Sequence, residues 1–172
     1  MDFLSMAKKR YSVRSYNDKP VEKEKLDKVL EAGRIAPTGV NAQPQRLIVV
    51  QSEEGMEKLS KGMRMFGAPV VIIICADKEK AWKRKYDGKN IADIDASIVT
   101  TYMMLQATEL GLSTLWMCCF KPEVIRSEFN IPENLEPVNM LLLGYSDEEP
   151  KSPERYSTDR KPIEETVSYE KL

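Results

Sequence analysis

The stretch VVIIICA, residues 70–76, is a continuous run of apolar and mostly β-branched residues that follows Gly67-Ala68-Pro69. A strand with one face in solvent alternates apolar and polar residues, whereas a strand covered on both faces is apolar throughout. The run therefore predicts a strand at the centre of a sheet, with other elements packed on each side of it.

Patterns on either side of this strand predict those other elements. Strands are predicted over residues 47–50, 114–117 and 138–145, and helices over residues 2–9, 21–34, 53–61, 78–86, 91–110 and 121–129. The helix over 91–110 is apolar around most of its circumference, which is typical of a helix in a core or at a subunit interface. Strands and helices mixed around a sheet predict an α+β fold. The length of 172 residues, without repeats or a linker, predicts a single domain over residues 1–172.

The tail after Pro150 is polar and interrupted by prolines, with no core-forming pattern before Val167. A segment that cannot bury its own apolar surface is expected to extend over the domain or onto a partner. The tail and the apolar helix both indicate that the chain associates with a second subunit.

Composition excludes several classes of protein. The formal net charge is −1, so there is no overall electrostatic basis for binding nucleic acid or an anionic membrane. No apolar run approaches the roughly 20 residues that span a bilayer, and the N-terminus does not resemble a secretory signal. Three cysteines, of which Cys118 and Cys119 are adjacent, do not form a disulfide framework. A cytoplasmic location is expected.

The chain contains no histidine. A Ser-His-Asp triad, a Cys-His dyad and a histidine-ligated metal site are therefore excluded. Cysteines without C-x-x-C spacing also argue against structural zinc. If the protein is an enzyme, it works without the commonest general base, which favours chemistry carried out by a bound cofactor.

A first candidate binding motif is RYSVRSY, residues 10–16. In extended backbone, Arg10, Ser12 and Arg14 would point to one side, because side chains alternate along a strand. Two guanidiniums and a hydroxyl suit an anion such as a phosphate monoester. A solvated basic loop is the alternative reading of these seven residues.

Three further segments have polar or thiol-bearing residues. In APTGVNAQP, residues 36–44, Asn41 and Gln43 carry the donors and acceptors that a heterocycle needs, although a plain connecting turn would also contain them. GLSTLWMCCF, residues 111–120, ends in thiols that are favoured as small core residues rather than as nucleophiles. TDRKPIEETV, residues 158–167, offers two cations that either neutralise a phosphate or face solvent.

The segments together resemble the nitroreductase family of flavin enzymes, over nearly the whole chain. The matching stretches, in order, are RYSVRSY followed by KPV, EAGRIAPTGVNAQPQ, GAPVVIII, IDASIVTTYMMLQATELGLSTLW, and LLLGY followed by RKPIEETV. Departures from the family pattern are Gln45, where an aromatic residue is common, and Cys118 and Cys119, where glycines are common.

The resemblance implies FMN bound at the interface of an intertwined homodimer with exchanged C-terminal arms, around a mostly antiparallel sheet flanked by helices. It implies flavin contacts from Arg10, Tyr11 and Ser12 (phosphate and ribityl chain), Arg14 and Arg64 (cations near the ring), Pro37, Thr38, Asn41 and Gln43 (a loop from the other subunit), Trp116, Met117, Cys118 and Cys119 (the N5 region), and Arg160 and Lys161 (phosphate, from the arm).

The implied activity is a ping-pong oxidoreduction, in which NADH or NADPH reduces FMN at N5 and a nitroaromatic, quinone or related acceptor reoxidises it. No protein residue need act as acid or base, and no G-x-G-x-x-G fingerprint is needed if the nicotinamide stacks on the flavin. Two alternatives remain open: an FMN enzyme with another donor such as ferredoxin, and a flavin-storing or flavin-sensing protein without turnover. No nucleic acid or membrane partner is expected.

Overall fold

The structure, a computed structural model, describes residues 2–172. The described residues form four strands and five α-helices, together with short 3-10 turns at Gly39–Asn41, Pro153–Ser157 and Ile163–Glu165. The strands are β1 (Gln45–Val50), β2 (Val70–Asp77), β3 (Ser113–Met117) and β4 (Leu135–Gly144), and the helices are α1 (Phe3–Lys9), α2 (Lys23–Ile35), α3 (Glu53–Ser60), α4 (Ala92–Glu109) and α5 (Pro122–Glu128).

The four strands make one antiparallel sheet in the order β1-β2-β4-β3. Every residue of β2 is buried, which confirms the central strand predicted from its apolar run. The β2–β4 register shifts between Ile74 and Cys75, where Pro137 enters β4. Proline has no N–H to donate to a ladder, so a bulge at this point is expected. The predicted α+β class and antiparallel sheet are confirmed.

Two apolar layers cover the sheet, one on each face. Alternate residues of β2 such as Ile72 face α2 and α4, where they pack with Val99 and Met103. The intervening residues such as Ile73 face α3 and α5, where they pack with Ile125. This alternation follows from the period of two along a strand, and it explains why β2 contains no polar position before its last residue.

The helix starts follow capping rules. The side chain of Ser52 accepts a hydrogen bond from the Gly55 N–H at 3.1 Å, and Asp2 caps α1 in the same way through Ser5 N–H at 3.1 Å. Such caps satisfy N–H groups that have no partner within the helix. Pro122 occupies the first turn of α5, where its missing N–H costs nothing.

The helix predicted over residues 78–86 is wrong. The Asp77 carboxylate accepts the Glu79 and Lys80 N–H groups at 3.0 and 3.2 Å and turns the chain at once. Residues 82–91 then form a hairpin-like loop in which Arg84 N–H donates to the Lys89 carbonyl at 2.9 Å. A helix needs an apolar stripe to bury, and this segment has none.

The tail after Pro150 lies on the outside of the chain, as predicted. Its turn Pro153–Ser157 packs against the end of α1, where the Arg155 guanidinium donates to the Arg10 carbonyl at 2.7 Å. Farther on, Ile163 is 67% exposed and Tyr169 is 88% exposed. Among the helices in residues 2–172, none is long and apolar enough to cross a bilayer.

Candidate active site

The RYSVRSY segment lies in extended conformation against the edge of the sheet. Ser12 forms a parallel bridge with Thr114 of β3, and Val13 N–H donates to the Thr114 carbonyl at 3.0 Å. Val13 is only 1% exposed, so it anchors the segment in the core beneath this edge. Arg14 lines a cleft beside β3. The segment therefore has the extended backbone that the anion-binding interpretation assumes.

The cleft has a volume of about 870 Å³ and lies between β3, the end of α3 and the start of α5. Its lining combines cations with apolar walls: Arg14, Lys61, Arg64 and Lys121 with Met63, Phe66, Leu115, Trp116, Met117 and Phe120, together with Ser60, Gly62 and Cys119. No aspartate or glutamate lies in this lining set, which belongs entirely to the described residues. Lys61 is paired with Glu128 at 3.0 Å, and the other three cations leave the site electropositive and suited to an anionic ligand with apolar surface.

Arg64 reaches the cleft from the connection between α3 and β2. Its guanidinium carbon lies 4.6 Å from the centroid of the Phe66 ring, a cation–π distance. Phe66 has a φ of 56°, and its carbonyl accepts the Tyr16 N–H at 3.2 Å. This hydrogen bond ties the connection to the segment that carries Arg14, so two separate parts of the sequence supply one cationic wall.

The β3 end of the cleft holds three of the four residues predicted there. Trp116, Met117 and Cys119 line it, whereas Cys118 does not. Both thiols are exposed. The sequence analysis favoured both cysteines as small core residues, and this prediction is wrong. The strand ends at Met117, so the chain leaves the core before it reaches either thiol.

A second group of cations gathers beside Arg10. The Tyr156 hydroxyl donates to the Arg10 carbonyl at 3.2 Å, and the Arg160 guanidinium lies 4.9 Å from the Tyr156 ring centroid. The tail of the same chain thus carries Arg160 to the start of the RYSVRSY segment. Lys161 instead forms an exposed ion pair with Glu165 at 3.6 Å.

Tyr11 is not a cleft residue. Its hydroxyl donates to the Glu148 carbonyl at 3.4 Å, and its partial burial raises the pKa of the phenol, with the Glu148 charge adding to the effect. Tyr11 therefore packs the RYSVRSY segment onto the domain.

The loop with Pro37, Thr38, Asn41 and Gln43 lies at the opposite end of the sheet. Asp77 N–H donates to the Pro44 carbonyl at 2.9 Å, so the loop joins the Asp77 end of β2. Ser12 and Thr114 instead lie near the Val70 end of β2. Thr114 and Val70 both pair with Leu143 of β4, and Ser12 forms its bridge with Thr114. The cleft extends along β3 to Met117, which lies level with Ile73 because both pair with Met140; this level is four strand residues from Asp77, or about 13 Å at ~3.3 Å per residue. The loop also enters the sheet at β1, the edge opposite to β3. Within one chain the loop is not brought to the cleft.

The loop is nevertheless held in a defined shape. Val40, Asn41 and Gln43 have φ values of 47°, 57° and 49°, in the left-handed region. Gly39 N–H donates to the Asp95 carboxylate at 2.9 Å, and Gln43 N–H donates to the Thr38 hydroxyl at 3.1 Å. Backbone held in this sparsely populated region is common where a loop contacts a ligand or a partner.

Several cleft residues were not predicted from the sequence: Lys61, Met63, Phe66, Phe120 and Lys121. The stretch KGMRMFG, residues 61–67, alternates cations with apolar residues directly after a helix. That alternation was an available signal that the segment lies along a wall rather than in solvent.

Comparison with known proteins agrees with this geometry. The sequence matches the pattern of the family described as "Nitroreductase family" over residues 7–64 and 59–145. A nitroreductase family protein of Clostridium difficile 630 is 59% identical, with all of both chains covered and a TM-score of 0.98.

Two further relatives carry more specific names. An FMN-dependent nitroreductase of Clostridium difficile R20291 is 34% identical, with a TM-score of 0.81 over 99% of this chain and 100% of that one. An FMN reductase [NAD(P)H] of Bacillus subtilis is 30% identical over 162 residues, which is 83% of this chain and 65% of that protein. The matched pattern covers well over half of the sequence and includes both cationic segments of the cleft. The chain belongs to the nitroreductase family.

Proposed function

We propose that this chain is an FMN-dependent oxidoreductase that uses NAD(P)H to reduce nitroaromatic, quinone or related acceptors. The observation that carries the proposal is the cleft beside β3, whose lining combines four cations with large apolar side chains. Relatives named as an FMN-dependent nitroreductase and as an FMN reductase [NAD(P)H] support it.

The residues present fit FMN chemically. FMN combines a flat, largely apolar ring with a dianionic phosphate, and it requires apolar walls together with positive charge. Trp116, Met117 and Phe66 supply apolar surface, and Arg14 and Arg64 supply charge on the same cleft. Arg160 lies beside Tyr156, whose hydroxyl donates to the Arg10 backbone carbonyl, so the tail brings a further cation to the start of the RYSVRSY segment, where a phosphate group would need it.

Ser12 and most of the predicted cations then have roles in binding. Arg10, Ser12 and Arg160 would hold the phosphate and ribityl chain, and Arg14 and Arg64 would place positive charge beside the ring. A fixed cation stabilises negative charge that develops on a bound group, without any proton transfer. Lys161 is less favoured for the phosphate, because Glu165 already pairs with it.

The protein's own contribution is binding, orientation and charge. When bound, FMN supplies the redox chemistry, accepting electrons from a nicotinamide and passing them to an acceptor. The cleft lining in the described part of the chain contains neither histidine nor carboxylate, so the walls exclude water and position groups rather than exchange protons.

The complete site requires a second subunit in this proposal. The loop that holds Thr38, Asn41 and Gln43 lies far from its own cleft, and it would contact the flavin of the partner. Two observations support an intertwined homodimer with exchanged arms: α4 carries exposed apolar residues, and the tail leaves Ile163, Val167 and Tyr169 uncovered. Residues 1–172 act as one FMN-binding domain, which is supported by the single sheet that both apolar layers share.

An anaerobic absorbance spectrum of the purified protein tests this function. Bound FMN gives visible flavin bands, and we expect NADH or NADPH to bleach them and a quinone to restore them. Bands that persist with both nicotinamides, but bleach with a reduced ferredoxin, would identify a different electron donor. Bands that no biological donor bleaches would indicate a flavin store. A protein that takes up no FMN would overturn the assignment of the cleft.

A further inference from the structure

The hairpin-like loop after β2 is one of two strongly basic segments of the chain, and the cleft does not use it. Residues 78–90 contain six lysines and arginines and two acidic residues, for a charge of +4, whereas the whole chain carries −1. The other segment is KKRYSVR, residues 8–14, which also carries +4 and includes the proposed flavin contacts Arg10 and Arg14. The hairpin is therefore the basic segment that the proposed flavin site leaves without a role.

The loop is preorganised rather than loose. Arg84 donates to the two Asp87 carboxylate oxygens through Nε and Nη2, and Gly88 N–H donates to the Arg84 carbonyl at 2.8 Å. Asp87 also accepts the Lys89 N–H at 3.1 Å, and Ile91 N–H donates to the Trp82 carbonyl at 3.2 Å. These hydrogen bonds, and not a buried apolar core, fix the shape of the turn. The loop therefore holds its exposed side chains in defined positions.

The loop presents lysines without ion-pair partners around an exposed aromatic ring. Lys78, Lys80 and Arg84 are paired with carboxylates, but Lys83, Lys85 and Lys89 have no such partner within residues 2–172. Tyr86 is 84% exposed, and the Lys85 ammonium lies 5.1 Å from its ring centroid. An open aromatic face among unpaired cations suits a ligand with a flat base and phosphates.

The loop packs directly against the loop proposed to contact the partner's flavin. A Cβ built on Gly39 would clash with Ile91 Cδ1 and would lie 3.3 Å from Trp82 Cβ. The base of the hairpin is therefore in contact with the 38–43 turn. If that turn contacts the partner's flavin, as proposed, the hairpin lies next to the same flavin site.

We propose that the hairpin around Tyr86 binds the adenosine–phosphate end of the nicotinamide dinucleotide, with the adenine against the tyrosine ring and phosphates at Lys83, Lys85 and Lys89. This inference rests on the proposed function, because it assigns part of its electron donor to a second region of the protein. It also accounts for a nicotinamide site without a G-x-G-x-x-G phosphate loop in the sequence.

The test compares donors with and without the adenosine half on the FMN-loaded protein. Rates of anaerobic flavin reduction are measured with NADPH, NADH and reduced nicotinamide mononucleotide for the wild type, for Tyr86→Ala and for the triple variant Lys83→Gln/Lys85→Gln/Lys89→Gln. We expect Tyr86→Ala to weaken the apparent affinity for NADPH by about fivefold or more, the lower end of what a stacked base contributes. The triple variant should lose about tenfold, because each screened surface charge contributes a few-fold at most.

The mononucleotide, which lacks adenosine, should reduce every variant at the wild-type rate. The charge effect should shrink at high salt, where the screening length falls to about 3 Å at 1 M. Lys28→Gln, at an exposed lysine of α2, is the control for the loss of one surface charge and should behave as wild type. Calorimetric binding of adenosine 2′,5′-bisphosphate, which has no redox activity, should weaken in both hairpin variants.

Several results would overturn the inference. Unchanged NADPH kinetics and unchanged bisphosphate binding in both variants would show that the hairpin does not bind the dinucleotide. A loss confined to reduction by an acidic ferredoxin would assign the hairpin to a protein partner instead. If the wild-type protein binds FMN but no nicotinamide reduces it, both the inference and the proposed electron donor are refuted. If the wild type is reduced by NADPH and the hairpin variants are reduced equally well, only the inference is refuted and the proposed function stands.

Discussion

Arg14 reaches the cleft because its neighbour Val13 is fixed in the core. Val13 is 1% exposed and bonded to Thr114, so the residues on either side of it face away from the core. Ser12 and Arg14, which are two residues apart, therefore lie on the same side of the segment, as the anion-binding interpretation requires. A solvated basic loop would not require this placement, and the FMN affinity of an Arg14 variant distinguishes the two interpretations.

Replacing Arg14 with glutamine should weaken FMN binding by about 10- to 100-fold, because hydrogen bonds to charged groups contribute ~1.5–3 kcal/mol. Arg14→Lys should retain part of the affinity, since it keeps the charge but loses the planar fork. Fluorescence titration of the apoprotein with FMN measures both. Lys28→Gln, which removes a charge far from the cleft, should bind FMN as wild type, and equal losses in Arg14→Gln and Lys28→Gln would contradict a local role.

Cys75 provides a pH-dependent test of the core. Burial raises the pKa of this thiol from 9.0 to about 11. Between these values the unfolded chain loses a proton that the folded chain keeps, so stability falls as the pH rises. The full effect is about 2–3 kcal/mol, at ~1.4 kcal/mol per pH unit. Urea unfolding from pH 8 to pH 11 should show a steeper loss of stability in wild type than in Cys75→Ala; parallel curves would refute the burial effect.

Individual site residues were predictable only where a motif marked them. Arg14, Arg64 and Trp116 were predicted and line the cleft, whereas Lys61 and Lys121 were not predicted. Both lysines line the cleft because their segments are joined there: Lys121 N–H donates to the Gly62 carbonyl at 2.9 Å, although the two residues are almost sixty positions apart in the sequence. No local pattern encodes such a contact.

At the scale of elements, the predictions succeeded where burial decides and failed where it does not. β2 and α4 were predicted from apolar pattern alone, because β2 is buried along its whole length and α4 has a line of buried residues from Ala92 to Ala107. The 78–86 segment has no core position except Ala81, so its helix prediction rested on residue composition alone. The structure has a loop there, because the Asp77 carboxylate turns the chain at its start and Gly88 adopts a positive φ.

Asp95 links two elements, since it lies on α4 and holds the 38–43 turn. It is 1% exposed and accepts Gly39 N–H through one carboxylate oxygen. Asp95→Ala should destabilise the protein by about 1–3 kcal/mol, because it leaves that N–H without its acceptor. Asp95→Asn keeps an acceptor oxygen and should cost clearly less. Urea denaturation followed by circular dichroism compares the two, and equal losses would show that the hydrogen bond is not what Asp95 contributes.

At the scale of the whole molecule, α4 carries an apolar surface that the chain leaves uncovered. One groove is lined by Ile94, Ile98 and Tyr102, and a second groove, which also includes Tyr102, extends to Phe3 and Ile35. Tyr102 is 41% exposed and Phe3 is 63% exposed. A continuous apolar strip of this kind marks an interaction surface in a folded protein. A second copy of this chain is the occupant that the proposed function requires.

Tyr102→Glu should therefore convert the proposed dimer to a monomer, because a charge buried at an apolar interface without a partner is costly. If the 36–44 loop completes the flavin site of the other subunit, the same variant should also lose FMN, although residue 102 does not line the cleft. Sedimentation velocity and the flavin-to-protein absorbance ratio measure the two effects on one sample. Lys28→Glu, on the solvent side of α2, should change neither. A monomeric Tyr102→Glu that keeps wild-type FMN affinity would show that one chain completes the site alone, and the distant loop would then need another role.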